Sequence, residues 1–427
     1  MSREPTYEYH PLFREFLLAQ ALRTYTTARL AEIRRAAARL LEAAGQIEAA
    51  AALWREAEDW EGLVGLICRH APTLLGQGRG QTVEGWLASL PEGALGANPW
   101  LLYWRGLCWF GWRHAESQRD FEQAFLAFRR QRDTTGMFSA WSALIIAYQG
   151  EGNLLPVDPW IARLDELLQE NPAFPSEEVE MRLATAMLSA IIFRRTRHPE
   201  GRRWAERALE LARRHPDLAF RAITAYNWLL YHWQLGDLAT AALVVDEMRA
   251  LMQARDVSPV VAVNASMTVV WHEWLLALPS YRRTVSEVLE LARTTGMFYA
   301  AKHNTLGVGL IAALSDGDLE TAHAWLRELE KDLPILGRGY RAWYHMFVVR
   351  EALLRGDLER AAIHRPEMVR LNLACGWPMN DAAALLVSAQ VLHERGEAEA
   401  AQADFARALE IAHAMESPYV EFMARLT

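Results

Sequence analysis

The sequence repeats its turn-forming clusters every 40 residues, and this period restricts the fold more than any other feature of the chain. The pentapeptide Thr-Thr-Gly-Met-Phe occurs at 134–138 and again at 294–298, an offset of 160 residues. Steps of 40 from Gly136 reach further clusters of turn formers at 176, 216, 256, 296, 336, 376 and 416. Evenly spaced turns are typical of repeat proteins, in which each unit packs only against its neighbours.

A second set of turns lies between these points and divides each unit in two. It comprises Gly236-Asp237, Gly317-Asp318, Gly356-Asp357 and Gly396-Glu397, with Ala277-Leu278-Pro279-Ser280 in the unit that lacks the glycine. Glycine suits the left-handed residue that closes a helix, and the acidic residue can cap the next one. We therefore predict an all-α fold, a right-handed α-solenoid of about eight tetratricopeptide-like (TPR-like) helix pairs, with HEAT-type pairing as the alternative architecture.

The N-terminal quarter carries different motifs. A β-like segment at 6–11 precedes an amphipathic helix at 12–21, and the run RRAAARLLEAAGQIEAAAALWREAEDWEGLVGLI follows at 34–67. Thr82-Val83-Glu84, Trp86-Leu87, Leu90-Pro91 and 99–102 continue the series. In this order the motifs resemble MalT-like transcriptional regulators of the STAND class, which are LuxR-type signal-transduction ATPases. The resemblance implies a winged-helix remnant at 1–24, a helical linker at 25–112 and a superhelical sensor domain at 113–427.

The resemblance also implies partners that this sequence lacks. Such regulators carry an ATPase module and a DNA-binding module, and neither a P-loop (G-x-x-x-x-G-K-[ST]) nor a complete helix-turn-helix occurs in the sequence. We therefore expect the chain to be the sensor portion of a regulator, with those two modules as its partners. The net charge of −8 and a pI near 5.9 argue against direct nucleic-acid binding.

Composition and residue spacing also indicate the cellular compartment and the kinds of chemistry to expect. Three distant cysteines, no secretory signal and no long apolar run predict a cytoplasmic protein that does not enter membranes. The glycine-rich loop at 76–80 reads as an interhelical turn, and His272-Glu273 and His303-Asn304 are isolated pairs rather than metal motifs. We expect no catalytic residues, no metal and no cofactor. A hydrolase or metal enzyme hidden in the groove is the alternative.

The aromatic residues point to a binding surface. There are 17 Trp, and the first helix of a TPR-like pair lines the concave face. Counting back from each intra-pair turn predicts a floor and a set of orienting polar groups: Tyr226, Trp233, Asn264, Trp271, Trp274, Asn304, Trp343 and Arg350. Asn264 and Asn304 are predicted to stack in one column. Alternatively, the tryptophans and methionines simply fill the core between repeats.

These features together predict a sensing function. We expect a non-catalytic domain that binds a small-molecule effector or a protein segment in its concave groove, because such grooves are aromatic with few polar groups. The alternative is a pure assembly scaffold that binds proteins and no small ligand. The arginine pairs at 194–195, 202–203 and 213–214 are predicted to lie on solvated helix faces.

Overall fold

A computed structural model describes residues 10–110, 113–254, 257–295, 300–416 and 421. The chain divides into two compact units, one that ends at Cys108 and one that begins at Trp109. The predicted boundary between linker and repeats, at 112–113, falls four residues further along the chain. Residues 6–9 of the predicted β-like segment lie outside the described residues. Among the described residues, no helix combines the length and the hydropathy that a membrane crossing needs.

The first unit is built from short helices around one apolar core. The helices are α1 Pro11–Thr24, α2 Thr27–Ala43, α3 Ile47–Glu56, α4 Trp60–Gly76, α5 Gly80–Ala88, α6 Ala94–Ala97 and α7 Pro99–Trp109, the last of which crosses the unit boundary. Side-chain caps begin two of them, since Thr26 accepts from the Arg29 amide and Asp59 from the Gly62 amide. Trp54 and Trp86 are buried in the core. The glycine-rich loop forms the turn between α4 and α5, as predicted, with Gly76 as the last residue of α4 and Gly80 as the first of α5.

The second unit is a series of longer helices. They are α8 His114–Gln131, α9 Thr134–Glu151, α10 Val157–Glu170, α11 Glu177–Arg194, α12 Gly201–Arg214, α13 Leu218–Gln234, α14 Leu238–Ala241, α15 Val245–Gln253, α16 Pro259–Leu275, α17 Tyr281–Thr295, α18 Ala300–Ser315, α19 Leu319–Glu330, α20 Arg338–Arg355, α21 Leu358–Cys375, α22 Pro378–Glu394 and α23 Ala398–Met415. Short 3₁₀ turns at Ala242–Val244 and Leu333–Ile335 interrupt the series.

From α9 onward the described helices form seven consecutive TPR-like pairs. The first helices are α9, α11, α13, α16, α18, α20 and α22, and each second helix packs back on its first. The prediction of an all-α array of helix pairs is confirmed. The array has seven pairs rather than about eight, because residues 114–131 form the single helix α8, which packs against α9.

The predicted turns between paired helices have the expected geometry. Gly236, Gly317 and Gly356 have φ values of 77°, 71° and 74°, in the left-handed region that favours glycine. Ala277 replaces glycine in the remaining unit and adopts φ 52°. The aspartate after each of these glycines caps the next helix, as Asp357 does by accepting from the Arg360 amide at 3.0 Å. Short-range turn chemistry therefore sets the phase of the repeat.

The first helices form an inner layer and the second helices cover it. Successive first helices contact one another, from α9 to α11, α13, α16, α18, α20 and α22. The sequence explains the difference between layers. In α13 nearly every residue from Thr224 to Gln234 is buried, whereas α12 buries one face and exposes Arg202, Arg203 and Glu206. A helix that is apolar all round must be covered on all sides, and an amphipathic helix is covered on one.

The inner layer turns back on itself. Helix α20 packs against α9, and α22 packs against α11, although these helices are five pairs apart along the chain. One superhelical turn of the second unit therefore closes on itself, and the first helices line its inner surface.

Candidate functional site

The turn is closed by a backbone approach between the end of α9 and the start of α20. We call this the closing contact; it joins residues 150–154 to 337–339 and 374–376. A Cβ at Gly152 would lie 2.5 Å from the amide nitrogen of Gly339, so only glycine fits there. The Leu154 amide donates to the Cys375 carbonyl at 2.8 Å. The C-terminal end of α9 and the N-terminal end of α20, which are almost 190 residues apart in the chain, are thus in direct backbone contact.

Two arginines reinforce the closing contact from either side. Arg338 donates to the Ala374 carbonyl at 3.1 Å and lies 3.5 Å from a carboxylate oxygen of Glu151. Arg194 donates to the Gly376 carbonyl and pairs with Asp158. Only 14% of the Arg194 side chain is exposed. The prediction that Arg194 lies on a solvated helix face is therefore wrong, because the closed turn covers the end of α11.

A cavity lies next to the closing contact, with about 680 Å³ of empty space including its mouth. We call it the polar chamber. Seven of the described helices contribute to its walls, among them α9 of the first pair and α22 of the last, so it lies where the first and the last repeats converge. It is lined by Gln149, Gly150, Gly152, Leu154, Phe193, Tyr226, Asn304, Gly339, Tyr340, Ala342, Trp343, Asn372, Cys375, Trp377 and Asn380.

Two buried polar atoms on the wall of this chamber have no hydrogen-bond partner. They are the Asn372 side-chain oxygen and the Trp377 indole nitrogen, in residues that are 1% and 8% exposed. The Asn372 amide nitrogen is satisfied by the Met368 carbonyl at 2.9 Å. An unpaired buried acceptor or donor costs about 1–3 kcal/mol. Both atoms have almost no accessible surface, so a ligand that donates to Asn372 and accepts from Trp377 would recover that cost only once a side-chain shift opened them to the chamber.

A hydrogen-bonded cluster holds the opposite wall. The Tyr226 hydroxyl accepts from the Trp271 indole at 3.1 Å and lies 3.2 Å from the amide nitrogen of Asn304. The same amide nitrogen lies 3.1 Å from the Met267 sulfur. Burial raises the pKa of Tyr226 to about 12, so the phenol stays neutral. This wall is pre-organised, since its polar groups are fixed by one another before any ligand arrives.

A second cavity, with about 990 Å³ of empty space including its mouth, continues along the inner surface. We call it the aromatic chamber. Trp343, Trp377 and Asn380 line both chambers, so the two are neighbours separated by these side chains. It is lined by Trp233, Trp271, Trp274, Ile311, Trp343, Met346, Arg350, Trp377, Met379, Asn380, Ala383, Leu386, Val387 and Gln390.

The tryptophans of the aromatic chamber pack on one another in two groups. Trp233, Trp271 and Trp274 form a triangle with ring centroids 4.8–6.1 Å apart. Trp343 and Trp377 stack at 6.4 Å, and Phe193 meets Trp377 edge-on at 4.7 Å. These spacings are within the range of favourable aromatic pairs, so the rings are rigid. The chamber therefore offers a fixed apolar surface on two sides.

The structure distributes the predicted site residues over both chambers. Tyr226 and Asn304 line the polar chamber, Trp343 lines both, and four line the aromatic chamber: Trp233, Trp271, Trp274 and Arg350. Asn264 is buried on α16 and lines neither. The hydrogen-bond partners of Asn304 are Tyr226 and Met267 rather than Asn264.

The two proposed roles of the tryptophans, core and floor, are not exclusive. Trp233 and Trp271 are only 3% exposed, yet both line the aromatic chamber. The counting rule missed three residues, Asn372, Trp377 and Asn380. Asn372 and Trp377 have the unpaired polar atoms, and Trp377 and Asn380 lie between the two chambers. The Cys-Gly-Trp-Pro turn at 375–378 was the available signal.

The cysteine that lines the polar chamber is unreactive because its thiol is buried. Burial raises the pKa of the Cys375 thiol, which lines the polar chamber, to about 12, so almost no thiolate is present at neutral pH. Within the described ranges, no three His, Cys, Asp or Glu side chains converge as metal ligands do. The arrangement can bind and orient a molecule by stacking and hydrogen bonding.

Comparison with known proteins gives a distant structural likeness. No family model and no curated protein matches the sequence. Among solved structures, the chain is similar to a monomeric mutant of IFIT1 solved with m7Gppp-AAAA, at 13% identity and a TM-score of 0.39. The similarity covers 91% of this chain and 92% of that one. Such a likeness is too distant to assign a family or a ligand, so the helix-pair fold rests on the contacts described above.

Proposed function

We propose that this chain is an effector sensor, a non-catalytic TPR-like domain that binds a small molecule in the chambers of its closed superhelical turn. The observation that carries the proposal is that two residues lining the polar chamber each hold an unpaired buried group, the Asn372 oxygen and the Trp377 indole nitrogen. Groups that exist only to pack would be cheaper as apolar side chains, because each unpaired polar atom lowers stability.

The position of the chamber supplies a way to transmit binding. Its wall includes Gln149 and Gly152 from the first pair and Tyr340, Asn372 and Trp377 from the last two. A molecule held there contacts both sides of the closing contact at once. Its binding therefore stabilises the closed form of the superhelical turn over a form in which the closing contact is broken. A sensor needs such a difference in affinity between two conformations.

The closed turn favours a small molecule over an extended protein segment. A peptide laid along a solenoid needs an open concave face. Here α20 packs against α9 and α22 against α11, so the inner layer returns on itself instead of running on as one extended concave face. A protein scaffold also has no use for unpaired polar atoms inside its turn. A protein segment and a pure scaffold remain the alternatives that the experiments below separate from the sensor.

The sensor is proposed to belong to a MalT-like, STAND-class transcriptional regulator. Support comes from the order of motifs in the first unit and from the array of helix pairs that follows it. On this proposal the chain binds no DNA itself, and closure of the turn acts on an ATPase module and a DNA-binding module. Replacing Trp377 by Phe at the chromosomal locus tests it. The response of a defined set of transcripts to the effector should be lost, whereas an unchanged transcriptome contradicts the regulator.

Absence of catalysis belongs to the same proposal. The support is the high pKa of the buried Cys375 thiol and of the Tyr226 phenol, in a site whose other polar groups are indoles, amides, the Tyr340 phenol and one guanidinium. None of these groups is a nucleophile or a general base at neutral pH. Hydrolysis of ATP or an ester by the purified chain, abolished by Asn372→Leu, would contradict it.

A pair of matched variants tests ligand binding directly. Thermal-shift measurements on the whole chain against sugars, amino acids, organic acids and nucleosides should find a compound that raises the melting temperature. Trp377→Phe keeps an aromatic ring but removes part of a buried indole and an N–H that bonds to nothing, so the free protein should melt at a somewhat lower temperature while the compound's shift shrinks.

Trp228→Phe is the control for that variant. The Trp228 indole is buried like that of Trp377, but it donates to the Thr240 carbonyl at 3.0 Å and lines neither chamber, so Trp228→Phe should lower the free energy of unfolding by about 1 kcal/mol more than Trp377→Phe does. The compound's shift should survive. If the compound still raises the melting temperature of Trp377→Phe but no longer raises that of Trp228→Phe, it binds outside the chambers.

A further inference from the structure

A third cavity lies between the α11–α12 connection and the last helix pair, with about 1060 Å³ of empty space including its mouth. We call it the basic cavity, because three arginines and a histidine line it: Arg194, Arg195, Arg197 and His198. Among the described residues that line it, Asp381 has the only carboxyl group. It shares Phe193 with the polar chamber and no described residue with the aromatic chamber. The basic cavity is therefore a separate place in which a ligand can bind.

The arginines of this cavity outnumber the carboxylates that pair with them at close range. Arg194 and Arg195 share one carboxylate, that of Asp158. Arg197 donates to the Glu416 main-chain carbonyl at 2.7 and 3.2 Å, and the Glu416 carboxylate lies 3.9 Å away with 74% of its side chain exposed. Water largely screens a charge pair that is so exposed. The wall therefore keeps a surplus of positive charge, which favours an anionic ligand.

Two of these arginines keep donors that the described part of the chain does not use. Arg195 donates through Nε to Asp158 at 3.2 Å, and Arg197 donates through Nε and one Nη to the Glu416 carbonyl. The other Nη groups of both residues have no hydrogen-bond partner among the described residues. The two side chains are 55% and 48% exposed, so a ligand can reach these groups.

His198 adds a neutral donor to the same wall. Its Nδ1 accepts from the Glu200 amide at 3.2 Å, so the proton of the neutral ring is on Nε2. Burial lowers the pKa of His198, which keeps the ring neutral at pH 7. Within the described ranges Nε2 has no hydrogen-bond partner, so its N–H is available to an acceptor.

The one carboxyl group of the cavity is protonated more readily than an ordinary aspartate. Asp381 is 9% exposed, and its Oδ1 has no hydrogen-bond partner. Burial raises its pKa to about 7, against the opposing pull of Arg194 and Arg407. Below pH 7 this carboxyl is therefore mostly uncharged, and a bound anion would favour the uncharged form further.

We propose that the basic cavity binds the phosphate group of a small phosphorylated molecule, with Arg195, Arg197 and His198 as its hydrogen-bond donors. A phosphate monoester carries nearly two negative charges and three acceptor oxygens, so donors from three side chains can meet it together. A carboxylate offers one charge and two oxygens in a plane. The cavity is larger than a phosphate group, which leaves room for the organic part. This second site goes beyond the proposed sensor function and does not depend on it.

Phosphate esters and matched compounds test the site. We would titrate the whole chain calorimetrically at pH 6.5 and fixed ionic strength with glycerol 3-phosphate and phenyl phosphate, each beside its parent hydroxyl compound, and with inorganic phosphate and sulfate. At least one ester should bind, about 10- to 100-fold more tightly than its parent compound, as hydrogen bonds to charged groups provide. It should also bind more tightly than either free ion, because its organic part contacts the cavity.

Single substitutions remove the donors one at a time. Arg195→Gln and Arg197→Gln should each weaken binding of the ester about 10-fold or more, and His198→Phe about two- to tenfold, because its donor is neutral. Arg203→Gln is the control, since this arginine of α12 is 80% exposed and does not line the cavity, and the affinity should persist. Circular dichroism of each variant confirms that the fold is retained.

Several results would overturn the phosphate proposal. They are the absence of binding by any ester, equal binding of an ester and its parent compound, equal binding of an ester and a free ion, and an equal loss in Arg203→Gln and Arg195→Gln. An ester whose binding depends on Trp377 but not on Arg195 would occupy the chambers and would also contradict it. None of these donors lines a chamber, so the sensor proposal is tested separately by its own variants.

Discussion

Two kinds of contact hold the second unit together, and they differ in how far apart their partners lie in the chain. Between neighbouring pairs, buried hydroxyls and amides meet in a polar ladder: Thr185 with Thr224, Thr196 with Gln234 and Ser266 with Thr305, at separations of 38–39 residues. At the closing contact, Arg338 meets Glu151 and Arg194 meets Gly376 at separations of 187 and 182.

The difference shows how a repeat protein acquires a site. A ladder contact needs only two adjacent pairs, so it forms wherever the repeat forms. The closing contact needs every intervening pair at its proper rotation, because small rotations accumulate along a solenoid. Both chambers border residues near the closure, so the candidate site depends on the array as a whole.

The largest expected effect comes from a methyl group at the closing contact. Gly152→Ala adds a Cβ at φ 76° and 2.5 Å from the Gly339 nitrogen. Gly356→Ala adds the same Cβ at φ 74° with nothing within 4 Å. We expect a loss of about 1–2 kcal/mol at 356 and of about 3 kcal/mol or more at 152, measured by urea unfolding. Equal losses would show that the turn closes without that approach.

Removal of the buried arginine should have the next largest effect. Arg194→Met leaves the Gly376 carbonyl without its donor and takes one of the two arginines from Asp158, which should cost about 2–3 kcal/mol. Arg202→Met breaks an exposed pair with Glu206 and should cost less than about 0.5 kcal/mol. Denaturant midpoints of the two variants measure the difference, and similar midpoints would place Arg194 on a solvated face after all.

A pH-dependent effect follows from Asp381, which borders a cavity with Arg194. Burial raises the pKa of this carboxyl from its usual 3.8 to about 7, against the opposing pull of Arg194 and Arg407. Between pH 4 and 7 the folded state therefore holds a proton that the unfolded chain has lost, and stability falls as the pH rises through that window.

Asp381→Asn tests this dependence because it keeps the shape and removes the titration. The variant should match the wild type below pH 4 and exceed it by on the order of 2 kcal/mol at pH 8, as measured by urea unfolding at each pH. A difference that stays constant from pH 4 to pH 8 would contradict the raised pKa.

The smallest expected effect is in the polar ladder. Thr185→Val removes one hydroxyl of a pair that lies 3.2 Å apart, and Thr224 keeps its bond to the Phe220 carbonyl at 2.9 Å. The cost should be about 0.5–1 kcal/mol, and ligand binding should not change because neither residue lines a chamber. A double-mutant cycle with Thr224→Val measures the coupling. A larger loss than that of Arg194→Met would reverse the comparison.

The sequence predicted the repeat and its turns well because both depend on local chemistry. Glycine at a left-handed helix end and aspartate at the next helix start act within a few residues, so their spacing gives the period and the phase. The same phase correctly placed Trp233, Trp271, Trp343 and Arg350 on the inner layer that lines the aromatic chamber. The sequence could not show whether these tryptophans are buried between repeats or exposed to the groove, because both roles need a ring that faces inward.

The closing contact could not be predicted in this way. Gly152 and Gly339 carry no signal that they touch, and Arg194 sits in an arginine pair that looks like any charged helix face. The unpaired groups of Asn372 and Trp377 are likewise invisible, because a missing hydrogen bond is a property of the surroundings rather than of the residue.

By itself, the sequence determined that this chain forms paired helices at a 40-residue period and which helix of each pair faces inward, since those features follow from short-range capping and from apolar patterning. Only the tertiary structure decided that the turn closes and that two chambers lie within it. The physical reason is that closure depends on the summed rotation of successive pairs, and no single residue or motif encodes that sum.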